Sequence, residues 1–193
     1  MSSPLAAAIA SLCSKDASVR LAAATEIYRV GRVPADQAVV SWWGNPELSQ
    51  LLFWPDAQVT IGLAVERATF ANIRDANGAP PLAHVPPDQD AEEFELHFPD
   101  RISLDVLTTR APGGPGAIAR YLAKFGEGIQ QVEFRCSDVD RATAILKESF
   151  GVVPVYAQTR AGADGTRVNF FLVPTPGKGK VLIELYESAG IQH

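Results

Sequence analysis

The chain has 193 residues, a formal net charge of −5, 47% apolar residues and 20% charged ones. That is enough for one full-sized domain, or a small domain with an extension, and it argues against a general nucleic-acid or membrane-surface binder. No apolar run approaches the roughly 20 residues a membrane-crossing helix needs. The N-terminal apolar run has no basic segment before it, so an amphipathic helix is expected there rather than a signal peptide. Cys13 and Cys136 make neither a disulfide framework nor a metal-ligand spacing, which fits reduced thiols in a cytoplasm.

The first 54 residues read as a helical extension. Leu5, Ile9 and Leu12 fall at helical spacing. Asp16 is placed to cap a second helix carrying Val19, Ala23, Ile27 and Val30, with Gly31 as its stop. Pro34 then opens a third helix with Ala38, Val39 and Trp42, and Asn45-Pro46 opens a short fourth with Leu48, Leu51 and Leu52. Core packing is the expected role of these helices; the alternative is a partner-binding module using Trp42 and Trp43 as exposed anchors.

From Val59 the period changes from helical to alternating. VTIGLAV, Val59 to Val65, reads as a strand, followed by a short helix with Phe70 and Ile73 that closes at Asn77-Gly78. Ala79 to Asp90 holds four prolines and reads as a loop, with an edge strand expected around Leu82 to Val85. FELHF, Phe94 to Phe98, and ISLDVLTT, Ile102 to Thr109, are strands separated by a Pro99-Asp100 turn. After the APGGPG loop, residues 116–125 form a connector helix with Ile118, Tyr121, Leu122 and Phe125 on one stripe.

The pattern then starts again. GEGIQQVEFRC is a glycine turn running into a strand. Ser137 or Asp138 caps a helix bearing Val139, Ala142, Ile145, Leu146 and Phe150, and Gly151 stops it. VPVYAQTR, RVNFFLV and KVLIELYE are expected as three strands. One strand–helix–strands unit thus occurs twice, over residues 58–109 and 126–188, within a domain spanning 55–190.

Strand parity assigns the faces. Val59, Ile61, Leu63 and Val65 are expected under one helix, with Thr60, Gly62 and Ala64 opposite. Val132, Phe134 and Cys136 are expected under the other, with Gln131, Glu133 and Arg135 opposite. Asp105 and Leu107 oppose Leu104 and Val106, while Glu184 and Tyr186 oppose Ile183 and Leu185. An acid such as Glu184 between apolar neighbours is costly to bury alone, so it needs a wet cleft or a partner.

The repeat, the IARYLAKFGEGIQQVEF link and the KVLIELYE strand together resemble the vicinal oxygen chelate superfamily, and within it the glyoxalase and methylmalonyl-CoA epimerase branch. The resemblance runs from about Val59 to Glu187 and leaves the N-terminal helices outside. It implies an α+β fold of two βαβββ units forming an open curved-sheet cleft. It also implies a divalent metal, such as Mg²⁺, Mn²⁺ or Ni²⁺, at the cleft floor, with its ligand positions falling on Thr60, Asp105, Gln131 and Glu184. This is an oxygen-only donor set in which Gln131 stands where relatives usually carry histidine, and it is a poor zinc or ferrous site.

A lyase or epimerase of this kind would use Glu184 and Asp105 as bases, with Glu133 as a third acid. The alternative is a metal-free lining of Gln131, Glu133 and Arg135, with Glu133 and Arg135 paired to each other. A binding protein of the bleomycin-resistance type would use Phe171, Tyr186 and Leu107 to line the cleft, with the helical extension as lid or partner surface. His97 shares a face with Glu95 and lines either the cleft or the surface; His84 sits in the proline-rich loop and His193 is terminal. The acidic run Asp88 to Glu93 lacks the spacing of a calcium loop, and GKGK, Gly177 to Lys180, reads as a hairpin turn rather than a phosphate site. The expected ligand is a small carbonyl, hydroxy-acid or acyl-CoA compound, and a homodimer is expected because a curved sheet leaves edges to cover.

Overall fold

A computed structural model describes residues 3–177 and 179–188. The chain is α+β and divides into two compact units. One comprises the chain up to Gly31 together with Thr60–Gln130; the other comprises Arg32–Val59 together with the chain from Gln131 onward. Among the described residues no helix is long and apolar enough to cross a membrane.

The N-terminal helices are α1 (Pro4–Ser11), α2 (Ala17–Val39) and α3 (Pro46–Leu51), with a single 3-10 turn over Val40–Gly44. Ser3 caps α1, Asn45 caps α3 through the amide of Leu48, and Asp16 accepts from the Ser18 amide at the head of α2. Two expectations fail here. Gly31 does not stop α2, and Pro34 lies inside the helix rather than opening a new one. The reason is packing: Ala23, Ile27, Gly31, Ala35 and Val39, each four residues apart, are all buried, so one stripe runs straight through both would-be boundaries. At Gly31 a Cβ would sit 2.8 Å from Ile61 Cγ2, so the glycine is there for close approach. Trp42 is buried, as core packing requires, and Trp43 stacks on Trp54 with ring centroids 4.4 Å apart.

The first unit's sheet comprises β1 (Val59–Ala64), β2 (Glu92–Phe98) and β3 (Ile102–Thr108), in the order β2-β3-β1. Between β1 and β2 lies α4 (Arg67–Ala76). β3 runs parallel to β1, with Gly62 opposite Asp105, and antiparallel to β2, with Glu95 opposite Asp105. The strand expected at Leu82–Val85 is absent; Ala83 N donates to Glu93 O at 2.9 Å, without a ladder. Its flanking prolines lack the donors a ladder needs.

The connector α5 (Ala117–Phe125) buries Ile118 and Leu122 but leaves Phe125 exposed. It leads to β4 (Gly128–Arg135) and α6 (Val139–Phe150). Asp138 caps α6 by accepting from the Arg141 amide, and Gly151 ends it in the left-handed conformation, φ 64°. Then come the two-residue β5 (Arg160–Ala161), β6 (Arg167–Pro174) and β7 (Lys180–Glu187), giving the order β4-β7-β6-β5. The strand expected over VPVYAQTR reduces to β5 and one isolated bridge between Pro154 and Phe171. Val153 and Val155 are exposed, so that segment lacks the buried face that fixes strand register.

The repeat holds in register. In each unit the last strand lies parallel to the first and antiparallel to the strand before it. Gly62 opposite Asp105 in the first unit corresponds to Glu133 opposite Glu184 in the second. Thr60 therefore corresponds to Gln131, and Asp105 to Glu184.

Candidate functional site

The second unit gathers three of the predicted residues. On β4, Val132 and Phe134 are buried on one face, which places Gln131, Glu133 and Arg135 on the other. On β7, Ile183 and Leu185 are fully buried, and Glu184 and Tyr186 alternate with them. The β4–β7 register sets Glu133 beside Glu184 and Arg135 beside Tyr186.

Gln131 joins the two acids. Its Nε2 donates to Glu133 Oε1 at 3.1 Å and to Glu184 Oε2 at 2.6 Å. Gln131 is 6% exposed and Glu133 7%, while Glu184 is half-buried. An amide N–H bonded to a carboxylate is stronger than a neutral pair, which offsets part of the cost of withdrawing both acids from water. Arg135 turns its Nη1 to Gln58 Oε1 at 3.1 Å, and its guanidinium lies 5.4 Å from the centre of the Phe53 ring.

Phe171 is not on this face. Arg167 of β6 pairs with Asp140 in the first turn of α6, and Glu187 accepts from the Val139 amide at 2.8 Å, so the odd positions of β6 and β7 lie on the α6 side. Phe171 stands opposite Ile183 and is fully buried there. Phe170 and Leu172, opposite Glu184 and Leu182, share the face of the two acids instead.

In the first unit Thr60, Asp105 and Leu107 are all buried, at the positions equivalent to those of the second unit's site. His97 and Glu95 share the face of Asp105, and both are exposed. His97 Nε2 lies 2.9 Å from the Glu95 carboxylate and its Nδ1 lies 3.2 Å from Ser103 Oγ, which makes it a surface-strand histidine. His193 and Lys178 lie outside the described residues.

A divalent ion at this cluster would be held by oxygen donors. A ligating glutamine must present its oxygen, whereas Gln131 presents its nitrogen to both acids and so bridges them in the way a cation would. Among the described residues no group of three or more His, Cys, Asp or Glu side chains is placed to hold a metal. A divalent ion here would need the Gln131 amide turned to present its oxygen beside the Glu184 carboxylate.

Phe53 and Gln58 were missed in the sequence. The only available signal was the aromatic run Phe53-Trp54-Pro55 immediately before the first strand.

No family model and no curated protein matches this sequence. Solved structures do. Methylmalonyl-CoA epimerase from Mycobacterium tuberculosis is 33% identical, with 68% of this chain and 87% of that one covered and a TM-score of 0.55. A variant Streptomyces coelicolor methylmalonyl-CoA epimerase in complex with 2-nitronate-propionyl-CoA is 25% identical, covering 68% and 96% at a TM-score of 0.53. A methylmalonyl-CoA epimerase in complex with methylmalonyl-CoA and NH4+ is 26% identical, covering 68% and 94% at a TM-score of 0.53. The repeated units, the register of their acids and this similarity lead to one assignment: the chain belongs to the vicinal oxygen chelate superfamily, on the branch of glyoxalase and methylmalonyl-CoA epimerase.

Proposed function

We propose that this protein moves a proton at the carbon next to a thioester carbonyl, as an epimerase-like enzyme acting on an acyl-CoA. The observation that carries the reading is the Gln131 amide held between Glu133 and Glu184. Epimerisation needs a base on one side of the carbon and an acid on the other. One carboxylate takes the α-proton and leaves an enolate. A proton returned to the opposite face of the enolate gives the other epimer, and the reverse reaction retraces the path. Gln131 holds both acids in place and donates to whichever is charged. Thr60 and Asp105 are assigned no part in this step. Two relatives bind acyl-CoA compounds, which supports the thioester class.

A sequestering protein with an aromatic cleft has less support, because Phe171, one of its proposed lining residues, lies on the α6 side. The test is exchange of the C2 proton of methylmalonyl-CoA in D2O, followed by NMR. The expected result is exchange by the native protein and a loss of about 10²–10⁴-fold in both Glu133→Gln and Glu184→Gln. Undiminished exchange in either variant, or no exchange by the native protein, contradicts the proposal.

A further inference from the structure

We infer that the groove between α6 and residues 153–159 is a second ligand site, taking an amphipathic carboxylate: a carboxyl group on a short apolar chain. The inference goes beyond the acyl-CoA reading and does not depend on it. The groove is lined by α6 and by the odd positions of β6, on the side of the sheet away from Glu133 and Glu184. Its volume is about 820 Å³, within the range of sites for small molecules. From α6 come Asp140, Ala144 and Lys147, which share one helix face. Val153, Pro154 and Val155 line it from the loop, and Arg167 and Asn169 from β6.

A bulge builds this groove. Both ends of the loop pair with β6: Pro154 stands opposite Phe171 and Arg160 opposite Val168. Between those points residues 155–159 face only 169 and 170, so three extra residues lift the chain off the sheet edge. Asn169, fully buried at the gap, fixes the lifted chain. Its Nδ2 donates to Tyr156 O at 3.2 Å and its Oδ1 accepts from the Phe170 amide at 2.9 Å. Val155 N donates to Phe170 O at 2.7 Å, and Thr159 Oγ1 donates to the Asp140 carboxylate, which ties the loop to both β6 and α6. The groove is therefore shaped before a ligand enters, which lowers the ordering cost of binding.

Its charges select the sign of the ligand. Asp140 is already engaged: Thr159 and Arg167 donate to it and hold its carboxyl below the ordinary range. Arg167 also donates to Glu187 Oε1 at 2.9 Å, so that end of the groove is neutralised internally. Lys147 lies two turns further along α6, roughly 10 Å away. It is exposed and has no ion-pair partner among the described residues, and Glu148 beside it takes no part in the lining. Lys147 therefore leaves one uncompensated positive charge at the groove. Val153 and Val155 are 71% and 53% exposed, and with Pro154 and Ala144 they offer the apolar surface that a hydrocarbon chain would cover. An anionic head on an apolar chain matches both features.

Octanoate and octylammonium have the same number of carbons and head groups of opposite charge, so titration of each into isotope-labelled protein, followed by NMR, is the test. Octanoate should shift the signals of Ala144, Lys147, Val153 and Val155, and octylammonium should bind about fivefold more weakly. Lys147→Gln should bring the two affinities together and Lys147→Glu should reverse their order. A native spectrum away from the groove shows that each variant folds. Octanoate shifts confined to the face of Glu133, Glu184 and Phe170, or no shifts at Val153 and Val155 with octanoate in large excess, overturn the inference. Equal affinities in the native protein, or a preference for octanoate that survives in Lys147→Glu, do the same.

Discussion

Single residues on β4 have sharply different surroundings on its two faces. Cys136, the residue immediately after β4, is buried, and that burial pushes its thiol up to about 11. The protonated thiol is therefore favoured in the folded chain, so its contribution is intact below pH 9 and is lost as pH rises toward 11, at about 1.4 kcal/mol per unit. Native protein should leave Cys136 unalkylated by iodoacetamide at pH 8, as peptide mass spectrometry would show, whereas the urea-unfolded chain reacts. Urea titrations above pH 9 should lose stability more steeply in the native sequence than in Cys136→Ala; equal slopes would refute the burial argument. Parity alone placed Gln131, Glu133, Arg135, Glu184 and Tyr186 correctly on shared faces. It misplaced Phe171, because parity within one strand says nothing about its neighbour until the connecting turn fixes the register that sets Phe170 opposite Glu184.

At the scale of elements, α2 shows how packing overrides local punctuation. Gly31 and Pro34 are reasonable helix boundaries in isolation, yet the four-residue spacing of buried positions from Ala23 to Val39 continues through both. Gly→Ala in an exposed helix interior normally gains about 0.5–1 kcal/mol. Gly31→Ala should instead cost about 1–3 kcal/mol, because its Cβ would press on the fully buried Ile61, read as a lower urea midpoint. A stabilised variant would show that Ile61 moves aside freely. The shortened strand between α6 and β6 has the opposite cause: VPVYAQTR carries β-forming residues, but Val153 and Val155 face solvent and Pro154 has no donor to give.

For the molecule as a whole, the repeat was legible because two strands with the same alternation each precede a helix and are followed by an acid-bearing strand. The positions that the resemblance assigned to Thr60, Asp105, Gln131 and Glu184 are equivalent in register between the two units. What the sequence did not reveal was the orientation of one amide. A glutamine between acids serves a metal through its oxygen or the acids through its nitrogen, and residue type alone does not choose. Nor did it reveal that the N-terminal segment divides between the two compact units, bringing Phe53 and Gln58 to Arg135.

We propose that the Glu133–Gln131–Glu184 cluster carries out proton transfer without a resident metal. The most direct test is the rate of C2 proton exchange in methylmalonyl-CoA by protein stripped with EDTA, compared with the same protein after addition of Mn²⁺, Ni²⁺ or Mg²⁺. The stripped protein should exchange at the full rate, unchanged by any of the three ions. Exchange that appears only once a metal is restored would contradict the account and return Gln131 to the role of a metal ligand.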